Sequence, residues 1–214
     1  MTASSVPSGR IESVEQLNAI LGQPHPTIME KHTAYTTPLI REFIDQARFF
    51  VLATSDAAGN CDCSPRGDLV SQVLFPDEKT LVLPDRPGNR RADSYRNMIE
   101  NPHVGILFLA PGHDEIVRVN GTATLSTDPD LLDSMAMNGK PAQLAVIVKI
   151  DEAYLHCARA ILRAKLWDPA TWPTPEDVPS LRDMMAEALQ MRVSDIHLLQ
   201  DNNPAAPNWI RYRI

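Results

Sequence analysis

The sequence predicts a mainly β fold with flanking helices (α+β), its strands closing toward an antiparallel barrel. Three observations predict it. Six or seven strand-like runs, alternating or continuously apolar, fall between residues 49 and 156. Short turn segments, DAAGN, PDEK and PGHD, join them in pairs, as hairpins require. Few helical patterns lie between the strands, which disfavours a doubly wound parallel sheet.

The elements follow in order. Ser13 and Gln16 have the S-x-x-Q spacing of a capping box, so VEQLNAIL reads as a short helix closed by Gly22. Residues 23–35 carry prolines and histidines in close order and read as an irregular connection. Thr37-Pro38 is a helix start with proline at the first helical position, and Leu39, Ile40, Phe43, Ile44 and Ala47 form its apolar stripe. FFVLATS (49–55) is a buried strand. CDCSP returns from the turn with Cys61 and Cys63 on one face and Asp62 and Ser64 on the other. Pro65 and Gly67 are expected to end that strand and leave Arg66 on a tight turn. QVLF and TLVLP flank PDEK, VGILFLA and EIVRVNGTATLS flank PGHD, and LAVIVKIDEAYLHC supplies a further long strand. CARAILRAKLW then reads as an amphipathic helix and DPATWPTPEDVP as a proline-rich bridge. SLRDMMAEALQ reads as a helix capped by Ser180, and NWIRYRI as a short strand. The organisation expected is an N-terminal helix and connection (1–36), a barrel core (37–168) and a helical annex (169–214) packed on the same domain.

Composition narrows the function. Twenty Lys and Arg against 27 Asp and Glu give a net charge of −7, which argues against a general nucleic-acid or anionic-membrane surface. No apolar run reaches the length of a bilayer span, and MTASSVPSGRIES lacks the basic-then-apolar order of a signal peptide. A soluble cytoplasmic protein is expected. Three cysteines, Cys61, Cys63 and Cys157, are too few for a disulfide framework and lack a matched pair at zinc spacing, so they are read as core cysteines. G-x-S-x-G, H-E-x-x-H, P-loop and G-x-G-x-x-G patterns are absent, which sets aside hydrolytic triads and Rossmann nucleotide binding.

Against that acidic background, PDRPGNRRADSYRNMIENP (84–102) concentrates four arginines where a constrained loop turns into a helix, read as RADSYRNMIE. Arginines in a first helical turn oppose the helix dipole unless an anion neutralises them. Asn89, Arg90 and Arg91 are therefore read as a phosphate-binding corner rather than a solvated helix start. Arg96 is expected to pair with Asp93 or Glu100 on the surface, and Arg86 is open to either job. Arg66 in CSPRGD has two even readings, a solvated turn residue or part of the site. For Trp167 and Trp209, a lid over a planar ligand, a subunit contact and ordinary packing all stay open.

The succession FFVLATSDAAGNCDCSPRGD, LVLPDRPGNRRADSYRNMIENPHVGILFL and IVRVNGTATL resembles the pyridoxamine 5′-phosphate oxidase-like family, and within it a branch carrying PDRPGNRR and LWDP-type segments. The resemblance covers roughly residues 40 to 168. It implies a six-stranded antiparallel FMN-binding split β-barrel that works as a homodimer, with two flavin sites at the subunit interface. It also implies that Leu83, Pro84 and Asp85 occupy the strand end that precedes the phosphate group, and that Asn89, Arg90 and Arg91 hold the 5′-phosphate of FMN. Cys63, Ser64, Pro65 and Arg66 align with the strand that contacts the isoalloxazine and ribityl chain, and Trp167 is counted with them as a cofactor contact. Two departures stand out: SPRGDLV replaces the R-x-V-L-L-K strand of the oxidases, and their pyridoxal phosphate-reading C-terminal segment is not recognisable. The reading is an FMN-dependent oxidoreductase of unknown substrate, taking electrons from NAD(P)H or the substrate itself. Its rivals are a flavin-binding sensor without turnover and a split barrel using deazaflavin or haem. The apolar strand face of Val104, Ile106 and Phe108 is expected to need cover from the second subunit, over roughly 2,000 Å² or more.

Overall fold

A computed structural model describes residues 9–192 except 70 and 89. Two short helices come first: α1 (Val14–Leu21), capped by Ser13 and closed by Gly22 at φ 76, and α2 (Pro26–Glu30). The second lies in the segment read as irregular; Pro26 at its first position and the His25 side chain, which accepts from Thr27 N–H, supply a start signal. Helix α3 (Pro38–Gln46) begins as its sequence requires, with Thr37 accepting from the Ile40 N–H. It buries Ile40 and Ile44, while Leu39 points to solvent.

Seven strands follow: β1 (Phe49–Ser55), β2 (Cys61–Gly67), β3 (Leu74–Asp77), β4 (Thr80–Pro84), β5 (His103–Leu109), β6 (Ile116–Ser126) and β7 (Ala145–His156). They form one sheet in the order β2-β1-β5-β6-β7-β4-β3, and each neighbouring pair is antiparallel. The two longest strands, β6 and β7, carry two half-sheets. β5 pairs with the first part of β6, up to Thr122, whereas β4 pairs with Ala145–Lys149 of β7, opposite the last part of β6. The inward faces of both halves meet in one core that includes Leu52, Leu81, Ile106, Phe108, Val119 and Val148. Fully burying a side chain of this kind contributes about 1.5–3 kcal/mol, so this shared face holds the two half-sheets together. The fold is therefore the expected mainly antiparallel one with flanking helices, built with seven strands rather than six.

Where the half-sheets diverge, the β6–β7 register slips between Asn120 and Gly121, leaving one extra residue on β7. A Cβ on Gly121 would stand 2.2 Å from the Lys149 carbonyl oxygen, so only glycine lets the two backbones approach this closely.

Helix α4 (Asp93–Glu100) lies over β1, β2 and β6, and buries Ser94 and Met98. Helix α5 (Pro129–Ser134) starts at the Asp128 cap and contributes to a smaller cluster with Val82, Met135, Ala142 and Ala145. α6 (Arg159–Ala164) ends where Lys165 turns left-handed, short of the run read from the sequence. The chain divides into two compact units, Met1–Trp167 and Asp168–Ile214. Within the described part of the second are two 3₁₀ turns, Pro169–Thr171 and Pro175–Asp177, and α7 (Leu181–Leu189), whose Ser180 and Asp183 form a full capping box. Trp209 and the strand read over NWIRYRI lie outside the described residues. Among the described residues no helix is long and apolar enough to cross a membrane.

Two expectations are corrected here. Val104, Ile106 and Phe108 face the core, because alternation puts their neighbours on the outer side. It is Leu107 and Leu109 that stand outward, opposite Val51 and Phe49 of β1. Cys61, Cys63 and Cys157 are all exposed rather than in the core; β2 turns its Asp62 and Ser64 face inward instead.

Candidate functional site

The segment between β4 and α4 is pinned at its base and open at its tip. The Asp85 N–H donates to the Leu144 carbonyl at 2.7 Å, which extends the β4–β7 pairing by one step. Arg86 is largely buried: its Nε donates to Asp68 at 2.9 Å and its Nη1 to the Met135 carbonyl at 3.1 Å. Its Nη2 is buried without a partner among the described residues, an uncommon state for a charged donor. Arg86 therefore ties the loop to the β2–β3 connection and to the end of α5, which settles its open role as structural support.

Beyond Pro87 and Gly88 the backbone is left-handed at two non-glycine residues, Arg90 (φ 61) and Ala92 (φ 58), each unfavourable by roughly 1–2 kcal/mol. Ala92 is the N-cap of α4, and its methyl side chain cannot accept a capping hydrogen bond. Among the described residues, the first-turn N–H groups of that helix thus lack the usual side-chain acceptor. The helix begins at Asp93, two residues later than its sequence suggests, so Arg90 and Arg91 lie in the loop before it and not in its first turn. Asp93 instead occupies the first turn, where a carboxylate suits the dipole. Arg91, though exposed, donates to Asp93, and Arg96 pairs with the same carboxylate at 3.5 Å while donating to the Arg91 carbonyl. Arg90 is exposed and forms no ion pair with a described residue. Among the described residues the loop therefore carries one guanidinium without a carboxylate partner, that of Arg90, beside a helix start without a side-chain cap.

Beneath the loop, β2 presents Asp62, Ser64 and Arg66 toward α4. β2 runs through Pro65 to Gly67 instead of breaking after Ser64, because it is an edge strand, where a proline leaves no ladder bond unmet. Arg66 is thus a strand residue and mostly covered. Its Nε donates to Ser64 at 3.0 Å and its Nη1 to the Tyr95 hydroxyl at 2.6 Å. The Tyr95 hydroxyl in turn donates to Asp85. Buried Ser94 donates to Asp62 at 2.6 Å and lies 3.2 Å from the Ser64 hydroxyl. Further along α4, Asn97 and Asn101 donate to Thr54 and Ser55 of β1. This polar seam docks α4 on the barrel and fixes where its N-terminus opens. Sequence reasoning missed Asp62, Ser94 and Tyr95; the period-two succession Asp62, Ser64, Arg66 was the available signal.

The expected site residues divide accordingly. Ser64, Arg66 and Asp85 come together at α4, and Pro84 is buried beside them. Leu83 is a core residue, so only its backbone can serve a ligand. Cys63 and Pro65 point to the opposite, exposed face of β2, and the four residues 63–66 cannot share one ligand through side chains. Among the described strands β2 has β1 as its one neighbour, so its other edge offers backbone N–H and C=O groups instead. Asn89 lies outside the described residues. Trp167 donates from its indole to the His113 carbonyl at 2.7 Å, at the β5–β6 turn. A wider recess of about 360 Å³ lies on the other face of the sheet, bordered by Ser55, Cys61, His103, Asn120 and Asp151, away from the arginines.

Burial pushes the Tyr95 phenol up to about 12, and its bond to Asp85 adds to this while Arg66 opposes it. A folded-state value above the unfolded one means that the protonated phenol stabilises the fold fully below about pH 10. That contribution is lost as pH rises through about 12. The difference between ultraviolet titrations of wild type and Tyr95→Phe is expected to show a phenol ionising in this late window. A midpoint near the ordinary tyrosine value would mean that the phenol is not held buried against α4's polar seam in solution, its Asp85 bond included.

No curated protein matches the chain. Among solved structures, a HupZ variant from Group A Streptococcus is 17% identical with a TM-score of 0.46, over 56% of this chain and 98% of its own. A Lactobacillus delbrueckii protein named for pyridoxamine 5′-phosphate oxidase is 25% identical with a TM-score of 0.44, over 57% and 95%. An FMN-binding protein from Syntrophomonas wolfei is 18% identical with a TM-score of 0.40, over 55% and 88%. The family described as pyridoxamine 5′-phosphate oxidase matches residues 36–157. That span is more than half of the chain and holds all seven strands, the arginine loop and α4. By that match the chain belongs to the pyridoxamine 5′-phosphate oxidase family.

Proposed function

We propose that the protein binds FMN and works as an FMN-dependent oxidoreductase. The observation that carries this reading is the uncompensated Arg90 at a left-handed loop tip, next to the uncapped start of α4. A phosphate dianion there would satisfy free helix N–H groups and the guanidinium together. The donor set fits that group. Arg90 would grip the phosphate, Arg91 would join it by leaving or sharing Asp93, and Arg66 would approach from β2. The unpaired backbone edge of β2 would face the polar rim of the ring. When bound, FMN supplies two-electron chemistry between NAD(P)H or a reduced substrate and a small acceptor or oxygen. The chain's own part is to bind, orient and limit access.

The outward face of Phe49, Val51, Leu107 and Leu109 is proposed to be covered by a second copy, which would also close the flavin cleft. Light scattering of the FMN-loaded protein at micromolar concentration is expected to give a dimeric mass, and a monomer would refute this cover.

The decisive measurement is the absorption spectrum of purified protein after FMN addition and gel filtration, then with NADH or NADPH under anaerobic conditions. Retained flavin absorbance that bleaches with a nicotinamide supports the reading. Retained flavin that no nicotinamide bleaches leaves binding without this electron source. Colourless protein after gel filtration, or a deazaflavin or haem spectrum in its place, overturns the FMN assignment.

A further inference from the structure

Arg66 and Asp85 pose a problem that their geometry solves. Their charged atoms stand 3.9 Å apart, outside hydrogen-bond range, although both side chains are mostly shielded from water. Between them is the Tyr95 hydroxyl, which accepts from Arg66 Nη1 at 2.6 Å and donates to Asp85. A phenol has one proton, so this arrangement is directional: the acceptor lone pair faces the cation and the proton faces the carboxylate. The Arg66 guanidinium also lies over the Tyr95 ring, at 5.1 Å from its centre. Ser64 takes Nε, and Nη2 has no partner among the described residues and is not buried.

We propose that Tyr95 is a positioning residue that acts as a spacer, keeping Arg66 from closing onto Asp85 and so leaving its outer N–H groups for the bound anion. This rests on the flavin phosphate site proposed above. Without the hydroxyl, nothing separates the two charges. Arginine and carboxylate then form a direct charge-assisted pair at about 2.7–2.9 Å, commonly through two parallel bonds. Arg66 would be neutralised by its own protein, and its donors would turn away from the ligand. Tyr95→Phe removes the spacer but keeps the ring and its packing.

The test is a double-mutant cycle on the full chain, with FMN and riboflavin affinities measured by flavin fluorescence for wild type, Tyr95→Phe, Asp85→Asn and the double variant. Tyr95→Phe is expected to weaken FMN about tenfold, the scale of one charge-assisted bond, and to leave riboflavin unchanged. Asp85→Asn takes away the competing carboxylate, so the double variant is expected to return to within about twofold of Asp85→Asn alone. A purely structural role for Tyr95 would give no such rescue. The spacer is overturned if Tyr95→Phe binds FMN as wild type does, or if the double variant stays as weak as Tyr95→Phe. Should wild type itself bind no FMN, the functional reading fails, and a crystal structure of Tyr95→Phe decides the spacer alone. A direct Arg66–Asp85 bond upholds it, and a gap still near 3.9 Å overturns it.

Discussion

Arg90→Ala is expected to weaken FMN binding by roughly ten- to a hundredfold while riboflavin, which lacks the phosphate, binds wild type and variant alike. Arg90 is the loop cation without an ion pair to a described residue, so its whole charge is available to a ligand. A charge-assisted hydrogen bond contributes about 1.5–3 kcal/mol, and each 1.4 kcal/mol is a factor of ten in affinity. Arg91→Ala is expected to lose less, because Arg91 already donates to Asp93 and must give up or share that contact to reach a phosphate. Arg96 is unsuitable as a neutral control despite its exposure, since its Nη1 supports the Arg91 carbonyl. Arg163, exposed on α6, serves instead. If the Arg90 and Arg91 variants, singly and together, bind FMN as wild type does, the loop is not the phosphate cradle.

Gly121→Ala is expected to destabilise the fold by about 3 kcal/mol or more, at the upper end of overpacking effects. The added methyl would meet the Lys149 carbonyl oxygen at 2.2 Å and Val148 at 2.9 Å. The first obstacle is backbone of the longest strand pair, so no rotamer change relieves it. For a chain of this size the melting temperature is expected to fall by roughly 6–12 °C. Gly88→Ala, whose Cβ would find its nearest neighbour at 3.9 Å, is the matched control and is expected to be neutral or slightly stabilising. A Gly121→Ala protein that melts with wild type would mean that the two strands separate at the bulge in solution.

Strands were legible because alternation and turn chemistry are local. FFVLATS became β1 residue for residue, and the capped starts at Ser13, Thr37 and Ser180 appeared where hydroxyls could reach free N–H groups. The arginine loop was also legible, since a cluster of guanidinium groups before a helix stands out in an acidic chain. Facing was not. Alternation tells that Val104, Ile106 and Phe108 share a side, but which side meets the core depends on what packs there. The same holds for Cys61 and Cys63, whose apolar character suggested burial until α4 claimed the polar side of β2 for itself. Pro65 misled in turn, because whether a strand lies at an edge is a property of the sheet. The bulge at Gly121 and the Arg66–Tyr95–Asp85 bridge could not be read at all. They join residues 28 apart or 29 apart in sequence, or nearer ones through an unforeseeable rotamer, and exist only once the register is set. The sequence by itself determined which residues can form strands, helices and an anion-binding loop. Only the tertiary structure decided which faces are covered, which charges are already neutralised by neighbours and which remain free for a ligand, because those are set by contacts between segments that no local pattern encodes.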